Sequence, residues 1–105
     1  MKKIHIDDLM NAISNNDVNE VETLLSQEVE INAYHKKTGM TPLMAAAYNG
    51  NKEIVMLLIS HNANMNMHSK NKEEFTALHF AVQEKKIEVV EKLIEHGANV
   101  NAKDA

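Results

Sequence analysis

Apolar residues recur along the chain with helical spacing, at i, i+3 and i+4, in three places. They are Val21, Leu24 and Leu25; Val55, Leu58 and Ile59; and Val90, Leu93 and Ile94. This spacing puts each trio on one face of a helix. Together with the shorter apolar segment that precedes each trio, it predicts six short helices in three pairs. The predicted bounds are 6–14 with 18–26, 42–49 with 53–61, and 77–84 with 88–95.

A long stretch of sequence occurs twice, at residues 41–66 and 76–101, with matched residues 35 apart. A fainter copy precedes them at an offset of 34, through Leu9, Ala12, Val21, Leu24, Leu25, Ile31 and Asn32. Self-similarity at this period is typical of stacked helical repeats, in which each unit buries its apolar face on a neighbour. Such stacks are binding surfaces far more often than catalytic sites. The repeat therefore favours a binding protein, without identifying the partner.

Two turns recur in each unit, and both are expected to need a residue with left-handed backbone. The residues at these turns are Asn16, Gly50 and Lys85 between paired helices, and Glu28, Asn62 and Gly97 after the second helix. Lysine and glutamate tolerate positive φ less well than glycine and asparagine, so Lys85 and Glu28 are each expected to cost about 1 kcal/mol. Thr41 and Thr76 are predicted N-caps, and Pro42 fits a first helical turn.

These motifs resemble those of the ankyrin-repeat family. Thr41-Pro42-Leu43 and Thr76-Ala77-Leu78-His79 are similar to its Thr-Pro-Leu-His opening, and Ala46-Ala47-Tyr48-Asn49-Gly50 to its Ala-Ala-x-x-Gly turn. His96-Gly97-Ala98-Asn99-Val100-Asn101 is similar to its Gly-Ala-x-x-Asn close. The resemblance implies an all-α solenoid of three stacked helix-turn-helix units, with hairpin-like fingers and a concave binding surface. One domain over 1–105 is expected, with units at about 5–35, 36–69 and 70–105.

The chain also departs from the family pattern. Met44 stands where the family has histidine, which predicts that Thr41 loses the partner that Thr76 keeps in His79. The connectors are longer than the family norm, by one residue between Asn32 and Thr41 and by two between Asn66 and Thr76. The second connector also lacks the usual glycine before the threonine, which leaves the geometry of its finger open.

The distribution of polar residues bears on the number of units. The middle second helix is apolar throughout residues 54–59, whereas the first and third units carry Glu22-Thr23 and Glu91-Lys92 at the places of Met56 and Leu57. A helix that is apolar all round is covered on both sides, and outer units need polar outer faces. This favours a complete three-unit protein. Against it, Asn101-Ala102-Lys103-Asp104 is similar to the start of another finger.

Composition narrows the function classes. The net charge is −4 and all eleven basic residues are lysine, so the arginine fork that reads guanine and clamps phosphate is absent, and no nucleic acid is expected. No cysteine is present, which suits a reducing cytosol, and no apolar run is long enough to span a bilayer. A cytoplasmic protein without a membrane partner is expected, with export as the alternative.

Candidate chemistry is sparse. His61 and His96 fall at the ends of second helices, where an imidazolium favours the helix dipole. His35 and His68 lie in successive fingers and could approach each other, but no cysteine or acidic ligand pattern accompanies them, so no metal or other cofactor is expected. The adjacent carboxylates Asp7-Asp8 and Glu73-Glu74 have no nucleophile to activate. The sequence therefore predicts a protein that is not an enzyme.

Aromatic residues carry the binding hypothesis. Tyr34, Tyr48 and Phe75 fall where the family contacts its ligands, although Tyr34 and Phe75 could equally pack the enlarged fingers. Phe80 is expected to pack rather than to contact a ligand. Lys36, Lys37, Lys70 and Lys72 make both fingers basic, which solubility alone would explain, and a partner with an acidic surface is the alternative. The predicted contact residues are Tyr34, His35, Lys36, Lys37, Met40, Tyr48, Asn49, His68, Lys70, Phe75, Gln83 and Glu84.

The leading interpretation is a protein–protein interaction module that binds a folded partner across its fingers and concave face, and acts as a scaffold or as an inhibitor by occlusion. A monomer is expected. The alternatives are a self-assembling unit, stacked end to end or paired as a homodimer, and a fragment of a longer array.

Overall fold

The computed structural model of the chain describes residues 4–97, which form six α-helices. They are α1 (Ile6–Ser14), α2 (Val18–Leu25), α3 (Pro42–Asn49), α4 (Lys52–Ser60), α5 (Ala77–Gln83) and α6 (Ile87–Glu95). Every predicted helix is present, with each end within one residue of its predicted position. Within the described range there is no β-strand, only an isolated parallel bridge between Ile4 and Val29. The prediction of an all-α repeat fold is confirmed.

The helices form two rows. α3 packs between α1 and α5 in the first row, and α4 packs between α2 and α6 in the second. Each first-row helix also contacts the second-row helix that follows it in the sequence. The molecule measures 39 × 25 × 21 Å, as expected for a short stack of helix pairs.

The core runs through the stack between the two rows. In α4, Ile54, Val55 and Leu58 are fully buried, while Met56 and Leu57 remain half-buried on the outer side of the second row. Contact with both α2 and α6 confirms that the apolar middle helix is covered on both sides. The largest fully buried side chains of the other helices are Leu9, Ile13, Val21, Leu43, Met44, Val89 and Leu93.

Threonine caps begin α3 and α5, as predicted. The Thr41 hydroxyl accepts from the Met44 N–H at 3.3 Å, and the Thr76 hydroxyl accepts from the His79 N–H at 3.3 Å. The prediction that Met44 leaves Thr41 without its partner is wrong. The Thr41 N–H donates to the Met44 sulfur at 3.4 Å, in the place where the Thr76 N–H donates to His79 Nδ1 at 2.9 Å. The flexible thioether reaches the same donor, as a weaker acceptor.

The turns follow the prediction with one exception. Asn16, Gly50 and Lys85 have φ of 54°, 81° and 58°, and Asn62 and Gly97 have φ of 70° and 99°.

The prediction for Glu28 is wrong, because this residue is not among those with positive φ. The chain leaves α2 through Ser26 and Gln27 into backbone whose Glu28 carbonyl accepts from the Ile4 N–H at 2.8 Å. Pairing with the segment before α1 therefore replaces the left-handed turn.

Two predictions fall on residues that the structure does not describe. The closing motif of the third unit at residues 98–101, and the similarity of residues 101–104 to another finger, both lie outside the described range.

Candidate functional site

Two connectors project from the stack as fingers, here defined as residues 32–40 (first finger) and 66–75 (second finger). The first finger closes on itself through His35, whose N–H donates to the Met40 carbonyl at 2.8 Å and whose carbonyl accepts from the Gly39 N–H at 2.8 Å. In the second finger, the Ser69 N–H donates to the Phe75 carbonyl at 2.8 Å and the Ser69 hydroxyl accepts from the Phe75 N–H at 3.0 Å. Both fingers are thus hairpin-like, and the buried Ser69 holds the two sides of the second one together through these two hydrogen bonds.

Hydrogen bonds join the two fingers. The Lys70 N–H donates to the Gly39 carbonyl at 2.7 Å, and the Asn71 amide donates to the Thr38 carbonyl at 3.0 Å. Gly39 is required at this crossing, because its φ is +70° and a Cβ there would lie 2.3 Å from the Lys70 carbonyl oxygen. The two fingers therefore form one continuous layer beside the first-row helices.

Asn71 explains how the second finger turns without glycine. Glu74 occupies the place that Gly39 has in the first finger and takes a φ of 50°. The Asn71 side-chain oxygen accepts from the N–H of Glu73 at 3.1 Å and of Glu74 at 3.4 Å, and from the Ser69 hydroxyl at 2.6 Å. An asparagine that bonds the backbone after it mimics a turn, so it supports the left-handed residue that follows.

A groove of about 470 Å³ lies between the fingers and the first-row helices. Its floor and walls combine apolar side chains with amides, hydroxyls, the His35 imidazole and the Glu73 carboxylate. The lining residues are Met10, Asn11, Ser14, His35, Thr38, Met40, Ala45, Tyr48, Asn49, Asn71, Glu73 and Phe80. The first-row helices supply one wall and the linked fingers supply the other.

Tyr48 is the exposed aromatic residue of the groove, with 45% of its surface accessible. Its ring lies edge-on to Phe80, with centroids 6.2 Å apart. Phe80 in turn meets Phe75 edge-on at 5.3 Å, and Phe75 stacks on His79 at 5.1 Å. This series of rings holds Tyr48 at the surface without a large side-chain entropy cost on binding.

His35 connects the first finger to α1. Its Nε2 lies 3.3 Å from Asp7 Oδ1, and its Nδ1 lies 3.5 Å from the Thr38 hydroxyl. The ring is largely covered, with 19% of the side chain exposed. His35 therefore closes one end of the groove and is already engaged with α1.

The structure brings four of the predicted contact residues into the groove, namely His35, Met40, Tyr48 and Asn49. Asn49 also donates its amide to the Ile13 carbonyl at 3.4 Å. The predicted residues outside the groove lining are Tyr34, Lys36, Lys37, His68, Lys70, Phe75, Gln83 and Glu84.

Tyr34 and Phe75 pack the fingers, which is the alternative that the sequence had left open. The Tyr34 hydroxyl donates to the His68 carbonyl at 2.8 Å, and Lys70 Nζ lies 4.6 Å from the centroid of the Tyr34 ring. Phe75 is half-buried among aromatic rings. Lys36, Lys37 and Gln83 are exposed, and Glu84 is half-buried at the end of α5.

Sequence reasoning missed the part of the groove that α1 provides. Ser14 and Asn11 lie 34 residues before Tyr48 and Ala45, so the weak first copy of the repeat carried a signal that could have located them. Phe80 was expected only to pack, and at 3% exposure it does pack, but it also forms the groove floor. Thr38, Asn71 and Glu73 had no comparable signal, because their position depends on how the fingers fold.

The described residues contain no group of three or more histidine, cysteine, aspartate or glutamate side chains placed to hold a metal ion. His35 contacts Asp7, whereas the ring of His68 lies 6.5 Å from that of His79. Over residues 4–97, helices with the length and hydropathy needed to cross a membrane are absent.

Comparison with known proteins adds independent findings. A family model described as ankyrin repeats, in three copies, matches residues 9–104. Alpha-latrocrustotoxin-Lt1a of Latrodectus tredecimguttatus is 37% identical over 88% of this chain and 6% of its own length. A probable 26S proteasome regulatory subunit, p28, of Saccharomyces cerevisiae is 35% identical over 74% of this chain and 34% of its own.

A solved structure is similar over almost the whole chain. It is a complex of a predatory endopeptidase from Bdellovibrio bacteriovorus with an immunity protein, and the matching chain is 39% identical with a TM-score of 0.81. The match covers 99% of this chain and 52% of that one. Against the spider toxins that it resembles, this chain spans 4% to 7% of their length.

Proposed function

This chain belongs to the ankyrin-repeat family, and we propose that it is a protein-interaction module that binds a folded partner in its groove and along its fingers. Ankyrin repeats are protein-interaction modules, and the family is generally not enzymatic. The observation that carries the proposal is the groove, where the exposed Tyr48 stands over the apolar floor formed by Met10, Met40 and Phe80.

The lining of the groove indicates how a partner would be held. An aromatic or aliphatic side chain of the partner would enter between Tyr48 and Met40 and would bury apolar surface there. Asn11 would supply a donor and an acceptor to the partner's backbone beside that anchor. Apolar anchors framed by polar groups that fix orientation are the usual composition of binding clefts.

The charges of the fingers favour an acidic surface around the anchor. Lys36, Lys37 and Lys72 are exposed on the fingers, and Lys70 Nζ lies over the Tyr34 ring. Two carboxylates lie beside this basic surface: Glu73 lines the groove, and Asp7 lies 3.3 Å from His35. Added salt is therefore expected to slow association with such a partner more than it speeds dissociation.

The experiment is affinity capture of partner proteins from cells that express the chain. Three forms of the chain serve as bait: wild type, Tyr48→Ala and Asn19→Ala. Asn19 is exposed on α2, in the row of helices that does not line the groove, and it serves as the matched control. The partner is expected with wild type and Asn19→Ala, and is expected to be depleted with Tyr48→Ala.

Titration calorimetry with the purified partner then measures the loss. A hot-spot tyrosine costs about 2 kcal/mol or more when truncated, so the Kd is expected to rise about thirtyfold. Tyr48 is preferred to Tyr34 and Phe75 for this test because those two rings pack the fingers. A partner that binds wild type and Tyr48→Ala equally well, with both variants folded, would remove the groove from the proposal.

We further propose that the chain inhibits its partner by binding over the partner's functional surface and occluding it. The support is the similarity, at 39% identity, to a chain in the complex of an endopeptidase with its immunity protein. The test adds the purified chain to endopeptidases of its own cell and follows hydrolysis of a protein substrate and of a short peptide. Occlusion predicts lost cleavage of the protein substrate with wild type and Asn19→Ala, but not with Tyr48→Ala. Equal inhibition by all three forms would count against it.

A further inference from the structure

Another cleft lies on the outer side of the second row, between α2 and α4, and encloses about 470 Å³. Its lining residues recur every three or four positions along each helix, so the cleft follows the two helices lengthwise. It shares no lining residue with the groove described above. This outer cleft is defined here by Val18, Glu22, Lys52, Glu53, Met56 and Leu57.

The apolar floor of the outer cleft is peculiar to the middle unit. Met56 and Leu57 are half-buried there, whereas the repeat places Glu22-Thr23 in the first unit and Glu91-Lys92 in the third at the same positions. Among the described residues of the cleft, Val18 and Leu57 pack against the buried core and Met56 does not. Met56 is thus an apolar, flexible side chain at a surface position that is charged in the other units, and such a side chain adapts well to a ligand.

One carboxylate comes from each wall of the outer cleft. Glu22 on α2 and Glu53 on α4 are exposed, and within residues 4–97 no ion pair or hydrogen bond engages either carboxylate. The lysine of the cleft, Lys52, is already paired, with its Nζ 3.1 Å from Glu88 Oε2. A cationic ligand would therefore meet two carboxylates whose charge no neighbouring side chain balances.

The surface around the outer cleft is also acidic. Glu20 on α2 and Glu91 on α6 are exposed, and the nearby Lys92 is engaged, with its Nζ 3.3 Å from Glu95 Oε1. This surface and the basic fingers therefore attract ligands of opposite charge. Because the outer cleft and the groove share no residue, each can be occupied while the other is.

We propose that the outer cleft binds a basic amphipathic helix of another protein. An apolar side chain of that helix would lie between Val18 and Met56, and lysines or arginines about one turn away on either side would pair with Glu22 and Glu53. A helix suits the cleft because it can pack lengthwise against α2 and α4 as a third helix. The fingertips of a second copy do not have this chemistry, since residues 36–38 and 70–74 include no apolar side chain beside their lysines.

The probe is a synthetic helical peptide of about 16 residues, with leucines on one face and lysines and alanines on the others. NMR titration into the isotope-labelled full chain is expected to show saturable binding, with shifts at 18–22 and 53–57 and none at Tyr48. Three control peptides replace the lysines by glutamate, the leucines by serine, or a central residue by proline. Each is expected to bind about tenfold more weakly or not at all, because each lacks the charge, the apolar anchor or the helix.

Paired variants of the chain test whether the cleft itself is the site. Glu22→Gln combined with Glu53→Gln is expected to raise the peptide Kd about fivefold, as two exposed ion pairs are lost. Glu20→Gln combined with Glu91→Gln removes the same number of charges from the same row of helices, and as the matched control it should change the Kd less than about twofold. Met56→Gln is expected to raise the Kd about fivefold through the lost apolar contact.

Circular dichroism establishes that each variant is folded. Equal effects of the two glutamine pairs would mean general attraction to the acidic row and would overturn the proposal. Absence of saturation at millimolar peptide, shifts centred on Tyr48, or serine and proline peptides that bind as well as the original would each do the same. Spectra of the chain alone at several concentrations test for a second copy, and concentration-dependent shifts at 18–22 and 53–57 would contradict the choice of a foreign helix.

Discussion

Lys85 and Glu74 hold left-handed backbone where glycine would be the least strained residue, with φ of 58° and 50°. Glu74 has local support, because its N–H and that of Glu73 donate to the Asn71 side chain. The left-handed backbone of Lys85 is supported by the hydrogen bond of the turn, in which its N–H donates to the Val82 carbonyl at 3.1 Å. Its counterpart in the middle unit is Gly50, so Lys85 is the residue at which glycine should be most favourable.

Lys85→Gly is expected to raise the free energy of unfolding by about 0.5–1 kcal/mol, because relief of left-handed strain exceeds the entropy that glycine adds to the unfolded chain. Asn16→Gly is the matched control. It changes the equivalent turn of the first unit, where asparagine already tolerates positive φ, and should have a smaller effect. Urea denaturation at low protein concentration measures both. A decrease in stability for Lys85→Gly would contradict this account of the turn.

At the scale of the element, each finger depends on its neighbour as well as on itself. The close approach of Gly39 to the Lys70 carbonyl, and the bonds from Lys70 and Asn71 to the first finger, tie two connectors that are more than 30 residues apart in sequence. Because the groove is walled by both fingers, the width of the groove is set by these contacts.

Two glycine variants separate backbone strain from this close approach. Gly97→Ala places a methyl group where no atom of residues 4–97 lies within 4 Å, at φ +99°, so it should cost only the left-handed strain, about 1–2 kcal/mol. Gly39→Ala adds a contact of 2.3 Å with the Lys70 carbonyl oxygen and should cost about 2–4 kcal/mol. The comparison is made by chemical denaturation of both variants. If the two variants lost the same free energy of unfolding, the fingers would be able to move apart at Gly39 without loss of stability.

Local chemistry explains why the helices could be predicted and the second finger could not. Apolar spacing, the caps at Thr41 and Thr76 and the turns at Gly50 and Asn62 depend on residues close in sequence. The Asn71 turn depends on where one side chain falls after the connector folds. The prediction for Glu28 failed for the same kind of reason, since its carbonyl bonds to Ile4, which precedes α1.

The groove was predictable only in part, for a related reason. Tyr48 and Asn49 sit at repeat positions whose direction the helix fixes, and both line the groove. Tyr34 and Phe75 lie on connectors, where sequence does not determine the direction in which a side chain points. Both rings turn inward and pack. For the fingers, sequence therefore identified the aromatic residues but did not predict whether each one packs or contacts a partner.

At the scale of the whole molecule, the middle unit supplies the core on which both outer units depend. α3 and α4 each contact a helix on either side, whereas α1, α2, α5 and α6 each have a unit on one side only within residues 4–97. Stability in such a stack is roughly the sum of the units and the interfaces between neighbours. A defect in the middle unit therefore weakens two interfaces at once.

Leu58→Ala is expected to lower the free energy of unfolding by about 2–5 kcal/mol, because Leu58 is 0% exposed at the centre of the stack. Met56→Ala, on the half-buried outer side of the same helix, should cost clearly less and is the matched control. Hydrogen exchange should show lost protection in all three units of Leu58→Ala, because they share that core. Loss confined to α3 and α4 would contradict the dependence of the outer units on the middle one.

One hydrogen bond between the fingers, from Lys70 to Gly39, uses main-chain atoms alone. The others use the side chains of Asn71 and Tyr34. The surface therefore divides into positions that hold the fingers together and positions that mutation can alter. Gly39 and Asn71 are constrained by the crossing itself, while Lys36, Lys37 and Lys72 project from it without a role in holding it together. Descendants of this chain can therefore exchange fingertip side chains one at a time and keep the shape of the groove. Divergence toward new partners should accumulate at those tips, with the crossing residues inherited unchanged.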